Sequence, residues 1–385
     1  MKTGCRGAIL AFSVLTLLIG CSRSWHNFSQ YPGFAGYYNQ HPRSDQAASA
    51  TEQALLRRFR PRLFLDGVSE GPISFYRDYI AQGTLINASS EVLSERVDRL
   101  SLNRYRSDPG VVFIHQPLTT PVTQEAFARI DYDEHPALGR LMFLTYHFVF
   151  RYSGLIDGLP AWQEWPLRWT GAASDWHQLD HYTAATVVLG PEEEPLALIL
   201  QQHNHERSYV LGADISLEDD GRIRLIAAQR SNELYPWHPS IKRHRVVRFM
   251  DPDTLPYLVQ GKPEPWLAGY DVTEAVREQD YQLEFIPAND AFYSFAGFLG
   301  ERRYLPGRDG PPGADYNTLP PFKRPLVQLV AFNWSEDDKP QMRALIDFLD
   351  RPSIDQPPFG RLLDNFENKL KSVKGEARLA QDRIP

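Results

Sequence analysis

Between Val111 and Met250 the chain repeats one pattern: a short run rich in β-branched and aromatic residues, then a joint of turn formers. The runs are Val111–Leu118, Glu125–Glu134, Gly139–Gly154, His181–Gly190, Pro195–Val210, Gly221–Arg230 and His244–Met250. Joints such as GPEEEP and EDDG are too short to hold a crossover helix, so successive strands are expected to pair antiparallel. In the third run Tyr146, Phe148, Phe150 and Tyr152 stand two apart, which puts four aromatic rings on one strand face. The expectation is a mainly β (α+β) fold, an antiparallel β-sandwich with peripheral helices at both ends of the chain.

Helical spacing brackets this core. Thr51–Phe59 predicts a short helix capped by Thr51. Ile73–Gly83 and Ser89–Tyr105 predict two more, the second capped by Ser89 or Ser90. Asp271–Gln279 predicts a helix with Asp271 as its cap, whereas Tyr281–Pro287 and Pro325–Trp334 read as strands. Lys339–Asp350 and Phe359–Gln381 are amphipathic and predict C-terminal helices, over about 339–381. With no internal repeat and no linker after residue 50, residues 51–385 read as one globular domain whose sandwich core covers about 110–335.

The N-terminus carries a separate signal. Lys2 and Arg6 precede an apolar stretch, Ala8–Gly20, too short to span a bilayer with ease but right for a secretory leader. It ends in Leu18-Ile19-Gly20-Cys21, which resembles the lipobox of bacterial lipoproteins. That resemblance implies removal of residues 1–20, lipidation of Cys21 with palmitate among the acyl groups, and a tether over residues 21–50. Ser22 after the cysteine favours the outer membrane, with the domain on the periplasmic side. The chain's two cysteines are Cys5 and Cys21. Loss of the leader would leave no free thiol, which suits an oxidising compartment and excludes cysteine-based catalysis. No later apolar run reaches about 18 residues, so no transmembrane helix is expected. The membrane is thus the one partner implied, through Cys21.

The formal net charge of −7 excludes the basic footprint of a nucleic-acid binder. The one basic run, Ile241–Phe249, has the spacing of a solvated strand face. Motifs for a Gly-x-Ser-x-Gly elbow, His-Glu-x-x-His, a Walker A loop and Gly-x-Gly-x-x-Gly are missing.

What remains is a concentration of histidines: seven of the 11 lie between residues 147 and 244. His203 and His205 would share a face if they stood on one strand. His181 opens the strand expected to pair with theirs, and Asp175 and Asp180 sit in the loop entering it. Imidazole and carboxylate ligands at the mouth of a sheet suit a divalent metal such as zinc or manganese. Asp175, Asp180, His181, His203 and His205 therefore form the candidate ligand pool. Glu206 is a candidate base, and Gln201 and Glu206 could orient the ligands. A non-metal polar pocket and an ordinary polar sheet rim fit the same residues, because strand ends collect Asp, Asn and His. Ser231, in the turn after Arg230, and the aromatic loop with Trp162, Trp165 and Trp169 are weaker candidates.

The order of four segments, FARIDYDE with GRLMFLTYHFVFRYSGL, SDWHQLDHYTAATVVL, ALILQQHNHE and RLIAAQRSNELYP, resembles the necrosis-inducing proteins and the related vacuolar-sorting-type domains. The resemblance spans about residues 125–240. It implies a β-sandwich with peripheral helices and, in the toxin branch, a divalent cation near an Asp-Trp-Glu turn. Asp175-Trp176-His177 matches that turn in its first two letters, and Ser231-Asn232 stands where that family carries Ser-His. Two functional classes follow. One is a lipid-anchored envelope protein of binding or structural type, using the histidine-rich sheet end for a ligand. The other is a metal-assisted hydrolase in which a bound ion activates water.

Overall fold

The length of the apolar runs is what makes two sheets pack. The computed structural model describes residues 45–66, 69–115, 122–152, 179–202, 205–215, 217, 221–229, 231–238, 243–244, 270–271, 276–300, 312–315, 325–329, 363–364 and 366–373. In chain order these give α1 (Ala50–Arg58), β1 (Arg62–Asp66), a π-helical turn (Phe75–Tyr79) continued by a 3-10 turn (Ile80–Gln82), β2 (Gly83–Ile86), β3 (Val92–Ser94), α2 (Arg99–Arg104) and β4 (Val112–His115). Then come β5 (Glu125–His135), β6 (Gly139–Phe150), β7 (Asp180–Leu189), β8 (Pro195–Gln202), β9 (His205–Val210), β10 (Arg224–Ala227) and β11 (Leu234–Pro236). After β12 (Arg243–His244) and β13 (Tyr270–Asp271) follow β14 (Val276–Gln279), β15 (Gln282–Phe285), α3 (Ala291–Ser294), α4 (Pro325–Gln328) and a C-terminal helix over 366–373.

The main sheet has the order β15-β5-β6-β7-β8-β9. Its strands β5 to β9 form the antiparallel meander that the short joints predict, and β15 adds to the edge in parallel with β5. A four-stranded sheet, β11-β10-β1-β14, lies against one of its faces. The strand period of two divides the side chains. Tyr146, Phe148 and Phe150 of β6 pack with Leu63 and Leu65 of β1 and Leu225 and Ala227 of β10 in a dry core. Tyr146 donates from its hydroxyl to the Leu56 carbonyl at 2.8 Å, pinning α1 over this core. The fold is a mainly β sandwich with peripheral helices. Tyr152, expected on the same aromatic face, lies past the end of β6 and is exposed.

The opposite face of the main sheet is covered as well, which explains why β6 is buried on both sides from Phe143 onward. At one end Phe143, Val188 and Ile199 meet Leu326, Leu329, Phe366 and Leu370. At the other, Phe127 and Val149 meet Phe75, Tyr79 and Phe292. A small sheet, β3-β2-β4, adjoins this second cluster. Among the described residues no helix is long and apolar enough to cross a membrane.

Several local expectations are corrected. The cap of α1 is Ser49, in a capping box: Glu52 N donates to Ser49 Oγ at 3.4 Å and Ser49 N to Glu52 Oε2 at 2.7 Å. Residues 89–105 are not one helix. The Asn87 side chain accepts from Ser89 N and Glu91 N, both at 2.9 Å, and folds a turn; the helix starts after Asp98, whose carboxylate accepts from Ser101 N at 2.7 Å. Asp271 stands opposite Arg243 in the β12–β13 ladder, and Val276–Gln279, expected as helix, forms an edge strand on β1, where Arg62 Nε donates to Glu278 Oε1 at 2.8 Å. Tertiary pairing overrides helical propensity there. Pro325–Gln328 is a helical turn, with proline at its start where the missing N–H costs nothing.

Candidate functional site

Pro195–Val210 forms two strands rather than one. β8 ends at Gln202 and β9 begins at His205, directly opposite it in the antiparallel ladder. The chain therefore reverses between these two residues. The His-x-His spacing thus does not lie along one strand, and β8 separates His205 from the strand of His181. Asp175, His203 and Cys21 lie outside the described residues, as do the side chains of His205 and Glu206.

Asp180 and His181 are both fully buried. Asp180 accepts from Thr183 Oγ1 at 3.3 Å and from Asn232 Nδ2 at 3.0 Å, which ties it to the β10–β11 turn of the second sheet. His181 turns the other way. Its Nε2 lies 2.6 Å from the Pro312 carbonyl, and its ring meets Phe292 edge-on at 5.9 Å. Among the described residues no three His, Cys, Asp or Glu side chains converge as an ion-binding set.

Two other polar groups came together unseen by the sequence reading. The first is a buried belt between the two apolar clusters on the helix-covered face. Arg129 of β5 sits between Asp131, at 3.1 Å, and Asp315, at 2.9 Å, with its guanidinium 4.1 Å above the Tyr293 ring. Burial works against the Arg129 charge, but Asp315, Tyr293 and Asp131 outweigh it and raise its pKa. Burial raises Asp131, against the pull of Arg129. His147 of β6, next to the Tyr293 hydroxyl at 3.3 Å, is pushed down to about 3, by burial first and then by Arg129, so it stays neutral. Thr145 and Thr186 share a 2.8 Å hydrogen bond across β6 and β7. Arg129, Asp131, Thr145, His147, Thr186 and Tyr293 are buried and Asp315 is half-buried, so the belt mainly joins the layers.

The second group opens to solvent at the β5/β15 edge. A cleft of about 510 Å³ is lined by Tyr76, Arg77, Arg99, Glu125, Gln282, Leu283 and Glu284. The parallel register sets Gln282 beside Glu125 and Glu284 beside Phe127, so Glu125 and Glu284 are diagonal neighbours on one sheet face. Above them stand the π-helical turn and α2. Ser74 caps that turn and donates from Oγ to Glu125 Oε1 at 2.7 Å, and Arg77 pairs with the other oxygen of Glu125. Arg99, at the first position of α2, pairs with Glu284, lies 3.6 Å from Asp290 Oδ2 and stacks 4.2 Å above the Tyr76 ring. The Tyr76 hydroxyl donates to Asp290, which also caps α3. Burial raises the Glu284 pKa; Arg99 opposes this, and the adjoining Glu125 carboxyl reinforces it. The exposures are graded. Glu125 is 4% exposed and Arg77 56%, with Glu284 at 30% and Arg99 at 39% between them. The cleft has a buried anionic floor and a reachable cationic rim.

Comparison with protein-family models, curated proteins and solved structures returns no match. The chemistry of the cleft therefore follows from its own side chains. One trace of it is present in the sequence: Glu125, Arg129 and Asp131 alternate with Ala126, Ala128 and Ile130. That pattern mimics a strand with a solvated face, and only the covering helices turn the charged side into a wall.

Proposed function

We propose that this is a lipid-anchored envelope protein of binding type, and that its ligand seat is the β5/β15 cleft instead of the histidine-rich sheet end. The observation that carries this reading is the meeting of Arg77, Arg99, Glu125 and Glu284 in one open cleft. A wall of paired charges is suited to exchange. A guanidinium can trade a protein carboxylate for a ligand carboxylate with little loss, because the number of charge-assisted bonds is conserved. The lipid anchor rests on the lipobox-like segment ending at Cys21. A metal-assisted hydrolase is the weaker reading. Asp180 and His181, the members of its ligand pool with described side chains, bond on opposite sides of β7.

Two measurements test the reading. Thermal unfolding of the full chain is followed against a panel of charged and hydroxylated small molecules. At least one should raise the melting temperature of the wild type and not of Arg77→Ala, with circular dichroism confirming that the variant is folded. Stabilisation that survives Arg77→Ala and Gln282→Ala alike places binding elsewhere. Separately, Cys21→Ser should abolish palmitate labelling and release the protein from membranes; persistent labelling overturns the anchor.

A further inference from the structure

The floor and rim of the cleft have opposite charge, and they stand within one salt-bridge length of each other. Arg77 pairs directly with Glu125, and Arg99 with Glu284. A ligand that satisfies both must therefore carry a cation and an anion only a few bonds apart. The floor asks for the cation. Glu125 and Glu284 are diagonal neighbours on one sheet face and line the same cleft, so two carboxyls converge there. An ammonium group has three donors and no acceptor, so it can bond both carboxylates at once. Glu125 is enclosed, so the approach is over the more open Glu284. The rim asks for the anion. Arg77 spends one Nη on Glu125 and its Nε on Ser74 Oγ at 3.4 Å. Its second Nη has no partner among the described residues.

We propose that the cleft binds an α-amino acid as its zwitterion, with the ammonium between Glu125 and Glu284 and the carboxylate on Arg77. This rests on the cleft being the ligand seat. The cavity of about 510 Å³ leaves room for a side chain beside Gln282, beyond the charged head. Glu284, whose pKa is raised by burial, must give up its proton to accept from the ammonium, so affinity rises with pH. The groups that face Glu284 set this balance: Arg99 from α2, Arg77 and Tyr76 from the π-helical turn, Glu125 from β5, and Asp290 at the start of α3. Both arginines stay charged throughout, so the pH dependence comes from Glu284.

Isothermal titration of the full chain with the standard free L-amino acids tests this, followed by the N-acetyl and amide forms of whichever binds. The zwitterion should bind, and either modification should weaken it about tenfold or more, the effect of losing one charge-assisted contact. Affinity should rise as pH climbs above the ordinary glutamate range near about 4.3, with proton release seen as a heat that depends on the buffer. Glu284→Gln should weaken binding and flatten its pH dependence, with circular dichroism confirming that the variant is folded. The proposal is overturned if the N-acetyl form binds as well as the parent, if affinity falls with rising pH, or if no amino acid binds. Should none bind while another small molecule protects the wild type and not Arg77→Ala, the cleft remains the ligand seat and only the zwitterion is wrong. Binding unchanged by both Arg77→Ala and Glu284→Gln would overturn the two together.

Discussion

Asp180 and His181 are consecutive in β7, yet their side chains bond on opposite sides of the main sheet. Asp180 reaches Asn232 in the second sheet, and His181 reaches Pro312 beneath the helices. Two residues that look like one site in the sequence are thus two separate fastenings, one for each layer of the sandwich.

The Asp180 fastening predicts a stability effect. Asn232 holds a left-handed backbone with φ of 57° and donates its amide to both Asp180 and the Tyr152 carbonyl, the latter at 2.7 Å. Asn232→Ala removes these donors from a buried carboxylate and strains the backbone, so it should cost about 2–4 kcal/mol. Asn232→Gly loses the same amide but tolerates the conformation, and should cost about 1 kcal/mol less. Urea denaturation of the three proteins decides it; equal losses would mean that the left-handed turn carries no strain.

The buried belt predicts a larger loss. Arg129 compensates the buried Asp131 and pairs with the half-buried Asp315. Arg129→Met removes the cation beside the buried Asp131 and should destabilise by about 3–5 kcal/mol. Adding Asp131→Asn and Asp315→Asn to that variant should restore part of the loss, because the uncompensated charges go. If the triple variant is no more stable than Arg129→Met, packing of the arginine stem and not charge is what matters.

His147 predicts an acid-side instability. Its pKa falls to about 3 in the fold, against about 6.5 in an unfolded chain. Below about pH 6.5 the unfolded state takes up a proton that the native state refuses, so stability drops as pH falls toward about 3. Across that window the loss is of the order of a few kcal/mol. His147→Asn can keep a partner for the Tyr293 hydroxyl and cannot titrate, so its stability should vary less with pH between about 6.5 and about 4. A slope as steep as the wild type would assign the acid sensitivity to other groups.

These residues also mark what could be read in advance. The sandwich was legible because period-two alternation in Glu125–Glu134 and Gly139–Phe150 and the short joints between strands are local signals. Local signals failed where a partner distant in sequence decides. Val276–Gln279 is a strand because β1, more than two hundred residues earlier, offers an edge and Arg62 offers Glu278 a partner. The cleft was hidden for the same reason. Arg77, Arg99, Glu125 and Glu284 come from four elements, and their spacing along the chain encodes no chemistry until the sheet and helices bring them together. The histidine cluster misled in the opposite way, since proximity in sequence was broken by the reversal between Gln202 and His205 and by the two faces of β7.

Glu284 in the cleft predicts a pH effect of opposite sign to that of His147. The Glu284 pKa is raised by burial and by Glu125, in spite of Arg99. The native state therefore holds a proton that the unfolded chain has released. This contribution is fully present below the ordinary glutamate range near about 4.3 and is lost as pH rises through the folded value. Glu284→Gln places a permanent N–H donor where that proton sits. Its stability should change less than that of the wild type as pH rises from about 4.5 to about 7, while the acid-side drop from His147 remains. Denaturation midpoints of wild type, Glu284→Gln and His147→Asn across that range separate the two groups. A wild-type curve that Glu284→Gln leaves unaltered would mean that Glu284 holds no extra proton in the fold.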